Sequence, residues 1–166
     1  MTGPLEPTNS AYAIAKIVGI ELVTSYRKEH GHKWISLMPT NLYGPRDNFN
    51  LQESHVLPAL IHRFHNAKVN NLSTVAIWGD GTPLREFLHV EDLASACLML
   101  LKEYDGSVAI NVGSGQETSI LNLAQSIAKV VGFEGTIKFD KTKPNGTPRK
   151  LLDTHFLNNL GWNAQI

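Results

Sequence analysis

The sequence predicts an α/β fold, because segments with helical periodicity alternate with short β-type segments along the whole chain. Hydrophobic residues make up 42% of the 166 residues, which is enough for a sizeable core and too many for a disordered chain. Glycine, proline and asparagine separate the segments, as they do in turns between helices and strands. These three observations predict a folded α/β chain.

The first half of the chain contains two predicted helices on either side of a long loop. A helix with N-cap candidates at its start covers residues 8–29, and Gly31 ends it. A strand follows at residues 34–38. Residues 40–54 are rich in Asn, Gly, Pro and Asp and predict a loop, and loops of this length within compact domains are usually functional. A second helix covers residues 55–68.

The second half alternates between strand and helix, and Thr118 is the predicted N-cap of its second helix. The predicted elements are a strand at 75–78, a helix at 90–104, a strand at 109–112, a helix at 118–131, a strand at 137–140 and a short helix at 154–160. Only about one strand and one helix precede the long loop, which is too few for an independent doubly wound sheet. The chain is therefore expected to begin in the middle of a fold.

Charge and composition exclude several classes of partner. Lys and Arg number 15 and Asp and Glu also number 15, so the chain lacks the cationic surplus that nucleic acids and anionic membrane surfaces require. The longest strongly apolar stretch, residues 93–101, is far shorter than the ~20 residues of a membrane span. Cys97 is the only cysteine, so no disulfide framework can form. We expect a cytoplasmic protein without nucleic-acid or membrane partners.

Tyr12 and Lys16 are four residues apart and therefore project from one face of the first predicted helix. A functional interpretation is an acid pair, in which the lysine charge favours the phenolate and the tyrosine passes a proton to a carbonyl being reduced. The alternative is coincidence, because one such spacing is not rare in a chain of this composition.

Three histidines lie at helical spacing in the second predicted helix and raise the question of a metal site. His55, His62 and His65 are spread over ten residues without a nearby carboxylate, which matches no standard zinc pattern. We therefore predict no metal site and expect His62 and His65 to be surface residues. His55 differs, because it follows the long loop and opens the helix, where a side chain can face a cleft.

Two arginines and a tryptophan are candidates for ligand binding. The guanidinium groups of Arg63 and Arg85 could bind a pyrophosphate through paired hydrogen bonds. For Arg85, an ion pair with Glu86 or Asp92 explains its presence equally well. Trp78 ends a predicted strand, where its ring could support a base or sugar, although strand tryptophans more often belong to the core.

In this order the motifs resemble the GDP-L-fucose synthases, a family of extended short-chain dehydrogenases/reductases, and the resemblance covers nearly the whole chain. Two blocks are typical of the broader superfamily, PTNLYGP at residues 39–45 and REFLHV at residues 85–90. Two further blocks point to this particular family, SHVLPAL at residues 54–60 and KPNGTPRK at residues 143–150.

The resemblance implies an enzyme that inverts C3 and C5 of GDP-4-keto-6-deoxy-mannose and then reduces the C4 ketone with NADPH. Within it, Tyr12, Lys16 and His55 match the catalytic residues, with His55 as the acid of the epimerisation. The positions that match cofactor-binding residues are Lys16, Pro39, Thr40, Asn41, Leu42 and His55. The positions that match substrate-binding residues are Arg63, Trp78, Arg85 and Asn145.

The resemblance also implies a fold and an assembly. Residues 1–50 correspond to the end of an NADP-binding Rossmann-type parallel sheet, and residues 51–166 to a smaller α/β domain that binds the nucleotide sugar. The first helix is expected to pair with its copy in a homodimer.

Several departures from the family leave alternatives open. The glycine-rich segment that binds the cofactor pyrophosphate does not occur, nor do the catalytic serine and the cysteine partner of His55, and Asn145 stands where the family usually has aspartate. We therefore expect a fragment that is inactive by itself. The alternatives are a module that only binds a nucleotide sugar, or another nucleotide-sugar epimerase or dehydratase.

Overall fold

The structure is a computed structural model that describes residues 3–50 and 53–166. A short 3₁₀ turn at Pro7–Asn9 leads into the first helix. The helices are α1 (Ser10–His30), α2 (Val56–Val69), α3 (Val90–Glu103), α4 (Ile120–Val131) and α5 (His155–Asn159). The strands are β1 (Leu37–Pro39), β2 (Asn41–Tyr43), β3 (Thr74–Trp78), β4 (Leu84–His89), β5 (Ile110–Val112), β6 (Glu117–Ser119), β7 (Thr136–Asp140) and β8 (Arg149–Lys150).

Most strand pairs are parallel and separated in sequence by helices. β1 pairs with β5, and β3 pairs with β7, both in parallel. β4 is the best-connected strand, because it pairs in parallel with β2 and β8 and antiparallel with β6. Parallel pairs joined through helices define an α/β fold, so the predicted fold class is confirmed.

The predicted helices are confirmed, and their first and last residues agree with the structure to within two residues. Caps and helix-breaking residues mark these ends in the sequence. Gly31 ends α1 in the left-handed conformation at φ 68°, and its N–H donates to the Arg27 carbonyl at 3.0 Å. The predicted cap of α4 is wrong. Ser119 rather than Thr118 accepts the N–H of Asn122, because α4 begins at Ile120, two residues later than predicted.

The prediction of one irregular loop over residues 40–54 is wrong at its start, where β2 pairs with the end of β4. β4 and β6 were also not anticipated, and the strand predicted at 34–38 begins only at Leu37. β2 and β6 have three residues each, too few to show an alternating pattern, and they form because β4 supplies their hydrogen bonds. β4 has six residues, but its buried Glu86 breaks the alternation of apolar and polar residues that would indicate a strand. Leu51 and Gln52 of this predicted loop lie outside the described residues.

Two hydrophobic clusters form the core. One joins α2, β3 and α4 and includes Phe64, whose ring meets that of Phe133 edge-on at 5.4 Å. The other joins Leu88, Leu100 and Val112 to α5 and Trp162. α1 contributes no buried residue to either cluster.

A buried carboxylate at the middle of β4 ties several segments together. The Glu86 side chain is completely buried, and its two oxygens accept the N–H groups of Gly115 at 2.8 Å and Leu152 at 3.0 Å. Its backbone carbonyl accepts the Asn41 amide at 2.7 Å and the Thr40 hydroxyl at 3.2 Å. One residue thus holds the β2 segment, the loop after β5 and the segment before α5.

We expect Glu86→Gln to destabilise the chain by about 2–4 kcal/mol, because the amide replaces one of two buried acceptor oxygens with a donor that faces a backbone N–H. Urea unfolding followed by circular dichroism measures this change. The matched control is Glu117→Gln on the neighbouring strand, whose carboxylate pairs with the exposed Arg149. An unchanged unfolding midpoint in Glu86→Gln, or equal losses in both variants, would contradict the role assigned to Glu86.

Candidate active site

A cleft of about 820 Å³ lies where β2 ends and α2 begins. This volume is typical of ligand-binding clefts. The lining residues are Tyr12, residues 39–47, His55, Val90 and residues 150–152. The cleft therefore collects side chains from α1, from the segment around β2, and from the segment around β8.

Tyr12 faces this cleft from α1, and His55 faces it from the residue before α2. Tyr12 is 60% exposed near the start of α1, and the Lys16 ammonium lies 5.2 Å from the centroid of its ring, one turn further along. His55 is the residue before α2 and is exposed. A phenol and an imidazole in one cleft can both transfer protons.

Residues 39–42 form one wall of the cleft and are held rigidly. Thr40 donates its backbone N–H to the Val112 carbonyl at 3.0 Å, and the side chains of Thr40 and Asn41 both donate to the Glu86 carbonyl. The wall combines the apolar surfaces of Pro39 and Leu42 with the side chains of Thr40 and Asn41, which already have a hydrogen-bond acceptor. Such a surface suits a flat ring better than a charged group.

A second pocket of about 290 Å³ lies between α2, the end of β3 and the loop before β8. All four predicted substrate-binding residues line it, namely Arg63, Trp78, Arg85 and Asn145. Sequence positions that are 82 residues apart are thus brought to one place by the tertiary structure.

The second pocket combines an aromatic ring with cationic groups. The guanidinium of Arg63 lies 5.3 Å from the centroid of the Trp78 ring, and the Lys143 ammonium lies 5.7 Å from it. Burial lowers the pKa of Arg85, whose guanidinium donates to the Leu84 carbonyl at 2.7 Å. A pocket with these groups fits a ligand that carries both a ring and phosphates.

The predicted alternative for Arg85, an ion pair with Glu86 or Asp92, does not occur in the part of the chain that the structure describes. The Glu86 carboxylate accepts backbone N–H groups instead. The buried Asp92 carboxylate likewise accepts the N–H groups of Gln165 and Ile166. Both carboxylates therefore serve the fold, which leaves the guanidinium of Arg85 available to a ligand.

Asn145 is oriented by a tight turn after β3. Its side-chain oxygen accepts the backbone N–H of Asp80 at 2.8 Å, and a side chain at Gly79 would collide with this oxygen. The Asp80 carboxylate accepts both the hydroxyl and the N–H of Thr82, and these hydrogen bonds lower its pKa from 3.8 to about 2. The turn is thus held by an ionised carboxylate over the ordinary pH range.

Sequence reasoning assigned no role to several residues at or beside these pockets. Lys143 and Lys150 belong to the KPNGTPRK block, so the resemblance contained their signal without assigning them a place. The Ser54 hydroxyl lines the second pocket and is buried without a hydrogen-bond partner in the described part of the chain. Ser54 is the first residue of the SHVLPAL block, so the resemblance contained its position without assigning it a role.

Residues 3–50 and 53–166 contain no group of three or more metal-ligating side chains. His62 lies with its Nδ1 2.7 Å from the Phe49 carbonyl, which places it against the loop before α2. None of the helices in these residues has the length and apolar character needed to cross a membrane.

Parallel strands joined through helices, with a Tyr-Lys pair one turn apart and an adjoining pocket of aromatic and cationic groups, are features of α/β proteins of the Rossmann type. The sequence profile of the NAD dependent epimerase/dehydratase family matches residues 1–113. The chain therefore belongs to this enzyme family.

Its relatives match over the whole chain. GDP-L-fucose synthase 1 of Arabidopsis thaliana is 58% identical over 166 residues, which are all of this chain and 51% of the relative. GDP-L-fucose synthase of Escherichia coli (strain K12) is 51% identical over 175 residues, which cover all of this chain and 54% of the relative. The chain thus spans about half the length of the curated relatives it matches.

The fold also matches solved structures. The crystal structure of a GDP-L-fucose synthetase from Naegleria fowleri bound to NADP superposes with a TM-score of 0.91 at 32% identity. The match covers 99% of this chain and 54% of the other.

Proposed function

We propose that the chain carries the substrate-binding part and several catalytic residues of a GDP-L-fucose synthase. The observation that carries this proposal is the meeting of Arg63, Trp78, Arg85 and Asn145 in one pocket beside the cleft of Tyr12 and His55. Sequence identities of 51–58% to relatives with this name support it. The substrate is then GDP-4-keto-6-deoxy-mannose and the product GDP-L-fucose.

The proposed chemistry divides between His55 and Tyr12. The protons on C3 and C5 are both alpha to the C4 ketone, so their removal gives an enolate that an acid can reprotonate on the opposite face. His55 is that acid, because its imidazole faces the cleft and can carry a proton. Tyr12 donates a proton to the C4 oxygen during the reduction, and the Lys16 ammonium lies beside its ring.

The cleft fits the nicotinamide end of NADP(H). The apolar surfaces of Pro39 and Leu42 and the backbone of Thr40 and Asn41 form a wall for a flat ring, and Lys16 stands beside Tyr12 to bind the ribose. NADPH would supply the hydride for the reduction of C4.

The domain division is part of the proposal. Residues 1–50 carry Tyr12 and the proposed cofactor-binding residues other than His55, whereas residues 51–166 carry His55 and the four nucleotide-sugar residues. One of the two hydrophobic clusters joins Leu37 and Leu42 to residues after 88, so the two parts share a core.

We also propose a cytoplasmic location and a homodimer through α1. The single Cys97 suits a reducing compartment, and microscopy of a tagged protein tests the location. α1 exposes large apolar residues, with Ile14, Val18 and Leu22 each about half exposed at intervals of four residues. A stripe of this kind can pair with the same stripe of a second copy.

Loss of either arginine in the second pocket should weaken GDP binding. We expect Arg63→Ala and Arg85→Ala each to reduce the affinity about tenfold or more, because a guanidinium–phosphate contact contributes on the order of 1.5–3 kcal/mol. Isothermal titration calorimetry at low and high salt measures it, and the loss should be larger at low salt. The matched control, Lys129→Ala at the exposed end of α4, should bind normally. Absence of GDP binding by the unaltered chain would contradict the proposal.

Tyr12 and His55 should be separable by isotope exchange in the full-length enzyme that carries these residues. His55→Gln should slow exchange of the C3 and C5 protons with heavy water by about 10²–10⁴-fold, the usual contribution of an acid–base group. Tyr12→Phe should abolish NADPH consumption while exchange continues. Mass spectrometry and absorbance follow the two events. Normal exchange in His55→Gln, or equal loss in both variants, would show that the assigned roles are wrong.

Charges on the α1 stripe should prevent dimer formation. We expect the unaltered chain to sediment as a dimer and the double variant Val18→Glu, Leu22→Glu to sediment as a monomer, because pairing would bury both carboxylates. Analytical ultracentrifugation distinguishes the two. Val130→Glu is the control, since Val130 is 87% exposed on α4 and lies outside the proposed interface. A monomeric unaltered chain at high concentration would refute the proposed interface.

A further inference from the structure

One arginine adopts a backbone conformation that arginine disfavours. Among the described residues, two that are not glycine have positive φ, Arg46 at 68° and Asn71 at 52°. Asparagine tolerates this left-handed region, because its short side chain can hydrogen-bond locally, whereas arginine has no such compensation. Pro45 and Arg46 are the two central residues of a turn, and a turn with proline second and positive φ third normally has glycine or asparagine at the third position.

The Arg46 side chain is exposed and lines the large cleft together with Tyr12 and His55. It makes no ion pair or hydrogen bond within the part of the chain that the structure describes. The neighbouring Asp47 carboxylate instead accepts the N–H of Asn48 at 2.7 Å. A strained backbone whose side chain stabilises nothing in the fold is typical of a functional site.

Cationic side chains line both pockets, and two of them lie on paired strands. Lys150 also lines the large cleft, and in the β4–β8 pairing it lies opposite Arg85, which lines the second pocket. Ser54 of the second pocket and His55 of the cleft are adjacent in sequence. Arg46 and Lys150 therefore place two cationic side chains in the cleft that adjoins the pocket of Arg85.

We propose that Arg46 is an anion-binding residue of the large cleft, which holds phosphate oxygens of a nucleotide ligand, and that its left-handed turn is retained to aim the guanidinium there. The proposal rests on the proposed function and deepens it. Guanidinium groups bind phosphate oxygens through two parallel hydrogen bonds. The phosphate can belong to the nucleotide sugar or to the dinucleotide cofactor, which share this chemistry.

The test separates strain from binding by two variants of the full-length protein. Arg46→Asn removes the charge and suits the left-handed backbone, so it should raise the Tm by about 2–4 °C. It should also weaken one of two ligands, GDP or NADP⁺, about tenfold or more. Arg46→Lys keeps the charge and should lose less affinity. Lys129→Gln, an exposed charge far from the cleft in sequence, is the control for net charge.

The outcomes are distinct. A loss for GDP assigns the contact to the nucleotide sugar, and a loss for NADP⁺ assigns it to the cofactor. Unchanged affinity for both ligands in Arg46→Asn, or a lowered Tm, overturns this inference while leaving the proposed function intact. If the unaltered protein binds neither ligand, both proposals fail.

Discussion

The buried carboxylate of Glu86 is the interaction on which the arrangement of both pockets depends. A carboxylate removed from water is costly unless hydrogen bonds replace its hydration, and here the donors come from Gly115 and Leu152, which are distant in sequence. These donors reach Glu86 only when the loop after β5 and the segment before α5 are both docked on β4. Satisfying one buried charge therefore assembles the walls of the cleft.

β4 also explains why the two pockets adjoin. Successive residues of a strand point to opposite faces, so Arg85 lines the second pocket while Glu86 points into the core. The Glu86 carbonyl holds Thr40 and Asn41 at the large cleft. The second pocket thus contains a residue of β4, and the large cleft contains residues of its neighbours β2 and β8. This proximity suits a reaction in which a nucleotide anchors a sugar at catalytic side chains.

The sequence predicted some elements better than others. α1 to α5 were predicted because helical periodicity extends over several turns and because Gly31 marks an end in the sequence. β2 and β6, of three residues each, were missed because their stability comes from hydrogen bonds to β4 rather than from a local pattern. At the candidate site, the order of the motifs predicted that Arg63 and Arg85 bind the same ligand, and both line the second pocket. Arg46 and Ser54 were not found, since neither a strained φ nor an unpartnered hydroxyl is visible in a sequence.

The sequence by itself determined the α/β class, the helices and the residue types of the candidate site, because these depend on local periodicity and on motifs of contiguous residues. Only the tertiary structure decided that β5 returns to β1, that Asn145 lies beside Trp78, and that Arg85 faces a pocket while Glu86 is buried. These features depend on contacts between segments that are tens of residues apart. Buried polar groups and strand edges need hydrogen-bond partners, and here the partners lie in distant segments that no local sequence pattern specifies.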